Sequence, residues 1–287
     1  MEMSDILIIA MDALSHILIL VMVALGLMII FGLMGVINMA HGELFMIGAY
    51  VAVLTGQSGI GFWPSILVAP IIVGFLGFLI EKALIQHIYH RPLDTILATW
   101  GLSIALKQAI VLLFGPESQS IPVPLDMRVS LIGFEYPLYR LVVMGFAAAM
   151  IFGCFWVFLK TNYGLMARAV ISRPITSEIL GLNTKKINSW SFVTGSALAG
   201  LAGAFVAPTI SVDPQMGLGY LVPGFLSLLV GGTGPFAGVL VGGAAVGGTN
   251  SLLTTWISPV AAQVVVFLLA LVVIRMRPNG ILGGKSK

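Results

Sequence analysis

A single cysteine, Cys154, occurs in 287 residues, so no disulfide can form within the chain. Charge is equally scarce. Asp, Glu, Lys and Arg together fill 9% of positions, where a soluble globular domain carries about 25%, and this deficit excludes an ordinary water-soluble fold. A basic leader is missing too: Glu2, Asp5 and Asp12 stand where the positive region of a secretory signal would lie, so a cleaved signal peptide is not expected. There is no G-x-x-x-x-G-K-[ST] phosphate loop. The nearest string, Asn279 to Ser286, has Asn where the first Gly belongs.

What remains is apolar. Hydrophobic residues fill 59% of the sequence and the mean hydropathy is +1.07. Nearly every apolar run approaches the roughly 20 residues that cross a bilayer as helix. The chain reads as all-α, a polytopic helical membrane protein forming one transmembrane domain over 1–287, with about eight to nine segments, some short or broken. Expected spans are Ile6–Leu33, Leu44–Thr55, Phe62–Ile80, Thr95–Phe114 and Leu138–Leu159, then Ser189–Ala207, Tyr220–Val230, Pro235–Leu253 and Ile257–Ile274.

Basic residues orient these spans. Lys82 and Arg91 share one loop, and Lys160, Arg168, Arg173, Lys185 and Lys186 share another. Arg275, Arg277, Lys285 and Lys287 form the tail. All three regions fall on one side, which the positive-inside bias makes the cytoplasm. Glu117, Asp126, Glu135 and Asp213 hold the other side, with Arg128 and Arg140 as minority cations. N-out, C-in follows, and the net charge of +3 reflects topology rather than nucleic-acid binding.

Two interruptions break the apolar pattern. The first, Gly35 to Glu43, sets Asn38, His41, Gly42 and Glu43 in an otherwise greasy run. A central charge costs about 2.5–3.5 kcal/mol on insertion scales, so the stretch faces protein or a polar path. Asn38 is suited to cap a half-helix starting near Met39. His41 and Glu43, two residues apart, point to different sides of a helix and fit no zinc motif. The second interruption, Gly231-Gly232-Thr233-Gly234-Pro235-Phe236-Ala237-Gly238, echoes the first. Paired Gly/Pro-interrupted segments mark midplane pathways in transporters, although the GxxxG spacing of Gly234, Gly238 and Gly242 equally fits close helix packing. Lys107 is expected to snorkel toward Glu117. His87 and His90 have i,i+3 spacing but no third ligand, and no metal site is expected.

The run from Ile30 to Tyr50 through Asn38-Met39-Ala40-His41-Gly42-Glu43 resembles the permease subunits of branched-chain-amino-acid-type ABC importers. The likeness continues through Arg168-Ala169-Val170, Leu180-Gly181-Leu182-Asn183 and the small-residue run Gly195–Gly203, and reaches the tail at Arg277–Gly283. Arg91-Pro92-Leu93-Asp94-Thr95 with Ala98-Thr99-Trp100-Gly101 is similar to the urea and short-chain amide branch. The resemblance implies a multi-pass protein of the bacterial inner membrane that pairs with a second, homologous permease and two cytoplasmic ATPase subunits. A periplasmic binding protein would deliver the substrate. It implies no enzyme and no cofactor in this chain, with ATP and Mg on the ATPases. The loop over about 160–187 is expected to couple to them, with Arg168, Arg173, Glu178 and Gly181 at matching positions, Pro174 opening a helix, and Gly181 allowing close approach. The substrate path is expected to use Asn38, His41, Gly42, Glu43, Thr99, Trp100, Gly231, Gly232 and Gly234. Sparse embedded charge favours a neutral solute such as urea over a branched-chain amino acid. A passive amide channel is the other transport reading, disfavoured by the long basic loop, and an intramembrane enzyme built on His41 and Glu43 lacks a nucleophile or metal set.

Overall fold

The computed structural model describes residues 3–89, 91–131, 134–232 and 236–283. Among them, seven helices are long and apolar enough to cross a membrane. In chain order the helices are α1 Met3–Met34, α2 His41–Gln57, α3 Ser65–Ala83, α4 Pro92–Phe114, α5 Leu138–Lys160, α6 Asn162–Ser172 and α7 Pro174–Ile179. They continue with α8 Thr184–Val206, α9 Met216–Gly231, α10 Phe236–Gly243, α11 Thr249–Thr254 and α12 Pro259–Met276. Each expected span falls on one of these elements or, for Pro235–Leu253, on a composite: α10 and α11 are joined by a π-helical turn, Ala244–Gly248. Two helices, α2 and α9, are the short ones anticipated from the sequence.

Helix starts follow local chemistry. Pro92, Pro174 and Pro259 occupy the first turns of α4, α7 and α12, where a missing N–H costs nothing. Thr161, Asn183 and Ser258 cap α6, α8 and α12 by accepting from Gly164, Lys186 and Ala261 N–H groups. The loop over 160–187 is more helical than expected. It holds all of α6, eleven residues, and the six-residue α7. The Pro-rich segment before α5 was not expected to contain strands, but Arg128–Leu131 and Phe134–Pro137 (β1 and β2) pair antiparallel, with Val129 opposite Tyr136.

The chain divides into two compact units. The larger, residues 25–122 and 151–221, is built on α2, α3 and α8. Lipid tails give helices no hydrophobic reason to associate, so close packing of small residues must do it. Gly48 of α2 lies on the backbone of Gly200, and Gly203 of α8 on the carbonyl of Phe45. Also on α8, Ser196 meets Gly77 of α3, and Gly200 meets Val73. The run Gly195–Gly203 thus supplies small residues to two neighbours at once, and α2 is sequestered so fully that twelve of its residues are buried.

The smaller unit comprises residues 1–24, 123–150 and 222–287. Its core joins Leu20, Leu226, Val230, Val246, Val266 and Ala270, and a second cluster packs Phe134, Tyr136 and Met144. Asp12 receives the Tyr136 hydroxyl at 2.9 Å and the Arg140 guanidinium at 2.5 Å. The Tyr136 phenol is pushed up to about 12 by burial first and by its bond to Asp12 second.

Packing at Gly48 leaves no room for a side chain, whereas a Cβ at Gly101 on α4 would meet nothing within 4 Å. Gly48→Leu is expected to abolish the monodisperse peak in detergent size-exclusion chromatography. Gly101→Ala should keep the peak and raise thermal stability, by about 0.5–1 kcal/mol, because alanine is the better helix former.

Candidate functional site

The break between α1 and α2 is built by backbone satisfaction. Gly35 ends α1 with φ +64° and donates to the Phe31 carbonyl at 2.8 Å, the left-handed stop that glycine adopts without strain. The six residues 35–40 are not helical and lie beside α4. There the Thr99 hydroxyl accepts the Met39 N–H at 3.1 Å and reaches the Ile37 carbonyl at 3.3 Å. It also contacts the Thr95 carbonyl of its own helix at 2.8 Å. One buried side chain therefore clasps the irregular segment to α4.

Asn38 holds the other side of the break. Its Oδ1 accepts the Ala40 N–H at 3.0 Å, and its carbonyl accepts the His41 N–H at 3.3 Å. This differs from the expected cap at Met39. The helix starts at His41, Ala40 is its N-cap, and no side chain caps it. Asn38 instead closes a local turn before the helix, which leaves its Nδ2 buried without a hydrogen-bond partner.

His41 and Glu43 diverge as expected. The His41 ring packs on Gly26 of α1, beside the Gly195 carbonyl of α8. Glu43, 1% exposed, accepts the Ser103 hydroxyl at Oε1, 2.8 Å away. Its Oε2 rests on Gly217 in the first turn of α9 and has no hydrogen-bond partner. A carboxylate at a helix N-terminus is favoured by the macrodipole. Gly42 lies on the Gly217 carbonyl, so α2 and the start of α9 touch backbone to backbone there. Lys107, one turn beyond Ser103, is within electrostatic reach of Glu43 and donates to Gln215 at 3.2 Å rather than extending toward Glu117.

Asn38, His41, Gly42, Glu43 and Thr99 are thus brought together in the larger unit. Trp100 is not part of the cluster's interior, since it is 57% exposed on α4. Gly231 and Gly232 belong to the smaller unit, in backbone contact with Gly238 and the Asn279 carbonyl. The tail covers them: Ile281 and Leu282 N–H groups donate to the Val230 and Gly231 carbonyls at 2.8 and 3.1 Å, satisfying the end of α9. Gly234 and His90 lie outside the described residues. Ser103 was missed, although it stands four residues after Thr99 and therefore shares its helix face.

The coupling candidates gather at one end of the same unit. Arg168 donates to the Phe158 carbonyl, Glu178 accepts the Thr184 hydroxyl at 2.5 Å, and Arg173 is exposed at the N-cap of α7. Gly181 has φ +87° with nothing of this chain within 4 Å of a Cβ, so within the chain its need for glycine comes from backbone conformation. It ends α7 with paired bonds, Leu182 N–H to Ser177 carbonyl and Gly181 N–H to Glu178 carbonyl. A cavity of about 880 Å³ is lined by the end of α1, by Glu81, Lys82 and Tyr89, and by Pro174, Glu178 and Lys185. The loop of Lys82 and the loop over 160–187 therefore share one side. Tyr89 donates to buried Glu81, and its phenol is raised by burial and by that carboxylate.

Residues 9–274 match the family model described as branched-chain amino acid transport system, permease component. The chain is 27% identical to the high-affinity branched-chain amino acid transport system permease protein BraD of Pseudomonas aeruginosa, covering 91% of each chain. It is 25% identical to the corresponding protein LivH of Escherichia coli, covering 91% of this chain and 90% of LivH. A further match, LivM of Escherichia coli, is 25% identical over 69% of this chain and 52% of LivM. No solved structure matches.

Thr99→Val keeps the side-chain volume but strands the half-buried Met39 N–H, a loss of about 1 kcal/mol. A lower melting temperature in detergent is expected, with Thr99→Ser restoring it. Equal melting of the valine variant would show that the clasp carries no weight.

Proposed function

Because this chain belongs to the family of permease components of branched-chain amino acid transport systems, we propose that it is one permease of an ATP-driven importer whose cargo is urea or a short-chain amide. The family makes it a multi-pass membrane protein and a transport subunit that performs no catalysis and carries no cofactor. The cargo rests on one observation. Asn38 Nδ2, a donor, and Glu43 Oε2, an acceptor, are both buried and unspent, and both lie at the start of α2. A neutral amide offers the complementary pair, N–H donors and a carbonyl acceptor. Among the described residues no Lys or Arg is buried, so a zwitterion's carboxylate has no enclosed counter-charge. In this reading Asn38, His41, Gly42, Glu43 and Thr99 form the polar step of the path, with Trp100 at its lipid or partner side, and Gly231, Gly232 and Gly234 are assigned to the path from the sequence pattern alone.

A branched-chain amino acid is the second reading, favoured by the names of the relatives and by Lys107 near Glu43. Relatives at 25–27% identity support the family more than the cargo.

The partners follow from the same premise. Two permeases of one organism, LivH and LivM, both resemble this chain, the first over nearly its whole length. A heterodimer with a LivM-like second permease is therefore proposed, driven by two cytoplasmic ATPase subunits and fed by a periplasmic binding protein. The basic end bearing the 160–187 loop faces the cytoplasm, giving N-out, C-in. There α7 presents Ile175, Ile179 and Leu180, the last two 80% and 77% exposed. An apolar ridge on a polar loop suits insertion into a cleft of an ATPase, with Arg168, Arg173, Glu178 and Gly181 shaping the ridge.

Uptake into proteoliposomes holding the full complex tests the cargo. Urea or acetamide should accumulate only with ATP and binding protein, and Glu43→Gln or Asn38→Ala should lower the rate about tenfold or more while the complex still co-purifies. Leucine uptake alone would transfer the site to the second reading, and urea flux without ATP would make the chain a channel. Separately, Ile179→Asp or Gly181→Val should lower recovery of ATPase subunits with the tagged permease. Normal recovery and normal uptake in both would remove α7 from coupling.

A further inference from the structure

Beyond the transport path, the larger unit carries a second concavity, on the exposed face of the α3–α8 pair. It is a groove of about 520 Å³. Its sides are Phe75, Phe78 and Trp190, all exposed, and its floor is the close crossing where Gly74 meets Ala197. One end holds Lys82, from the last turn of α3, with Lys185 and Lys186, from the first turn of α8.

We propose that this groove is a specific site for an anionic phospholipid, its phosphodiester held by the three lysines and its acyl chains laid against Phe75, Phe78 and Trp190.

Three observations carry the proposal. Lys185 and Lys186 sit where the α8 macrodipole already presents positive charge, the wrong end for cations unless an anion joins them. Among the described residues neither has a carboxylate partner, and Lys82 has Glu81 only at 3.9 Å. Second, Ser189 lines the groove, is 7% exposed, and its hydroxyl has no hydrogen-bond partner. It follows Lys185 and Lys186 by four and three residues, so it stands below them on one helix face and offers a donor to a phosphate or ester oxygen. Third, the cationic end opens directly onto aromatic and aliphatic walls, and Trp190 marks the interfacial depth that tryptophan prefers. A free phosphate has no use for those walls. An amphiphile with one negative head and two chains uses every part, as basic pockets between membrane helices do for acidic lipid headgroups.

The test places the assembled transporter in vesicles whose phosphatidylglycerol or phosphatidylcholine carries brominated chains. Quenching of Trp190 is the difference between the native chain and Trp190→Phe. Brominated phosphatidylglycerol should quench Trp190 at a several-fold lower mole fraction than brominated phosphatidylcholine. Lys185→Gln with Lys186→Gln should erode that preference by about fivefold per lysine, and the paired arginine variants should retain it. Equal quenching by both lipids would overturn the proposal in favour of ordinary lipid contact. No quenching by either would overturn it in favour of a protein subunit covering this face. A preference untouched by the glutamine variants would overturn it as well.

Discussion

Non-helical backbone inside an apolar assembly is tolerated only where each polar group finds a partner, and residues 35–40 are such a segment. The Thr99 hydroxyl, between the Met39 N–H and the Ile37 carbonyl, is the interaction on which the surrounding arrangement depends. It holds the path of the chain between the Gly35 stop of α1 and the start of α2. That in turn sets His41 against Gly26 and Glu43 against Ser103 and the start of α9. Gly35 supplies the left-handed turn that ends α1, and Gly42 and Gly217 let α2 and the start of α9 meet backbone to backbone. The polar residues of the motif are therefore positioned from α4, sixty residues downstream, rather than by their own helix.

Much of this was legible in the sequence, because a bilayer narrows the choices. Long apolar runs had to be helices, and α1, α3, α4, α5, α8 and α12 appear near their expected bounds. Local chemistry was legible also: Pro174 opens α7, and the polar interruption at Asn38–Glu43 is a helix break. The failures share a cause. Asn38 was read as a cap because capping is a local pattern, but the register of α2 is set by a distant threonine, and the asparagine closes a turn two residues earlier. Gly181 adds a conformational requirement that the sequence did not announce, a φ of +87°, because sequence does not distinguish a glycine needed for space from one needed for conformation. The β1–β2 hairpin escaped notice since a four-residue strand carries too little alternation to register. Ser103 was recoverable from helical spacing to Thr99; its carboxylate partner was not.

Family membership and site chemistry answer different questions here. The family match over residues 9–274 establishes the family and the transport role, and LivH and BraD resemble the chain over nine-tenths of their length. At a quarter identity it leaves room for the polar step to serve another solute. The enclosed groups of the larger unit are hydroxyls, amides, an imidazole and carboxylates, a surface that can exchange hydrogen bonds with a small solute without gripping it. A permease fed by a separate binding protein has reason to hold its cargo weakly.

The seclusion of α2 has a consequence for how the protein is made. At 17 residues the helix spans about 25 Å, short of the roughly 30 Å hydrocarbon layer, and its buried His41 and Glu43 make it a poor candidate for insertion by itself. Its main packing partner, α8, starts about 130 residues later. At about 5–20 residues per second, the ribosome takes roughly ten seconds to deliver it. For that interval α2 has α1 and α3 beside it but not the glycine-lined surface that finally encloses it. The nascent permease therefore passes through a stage in which a short helix carrying His41 and Glu43 waits at the membrane before the surface that encloses it has been made.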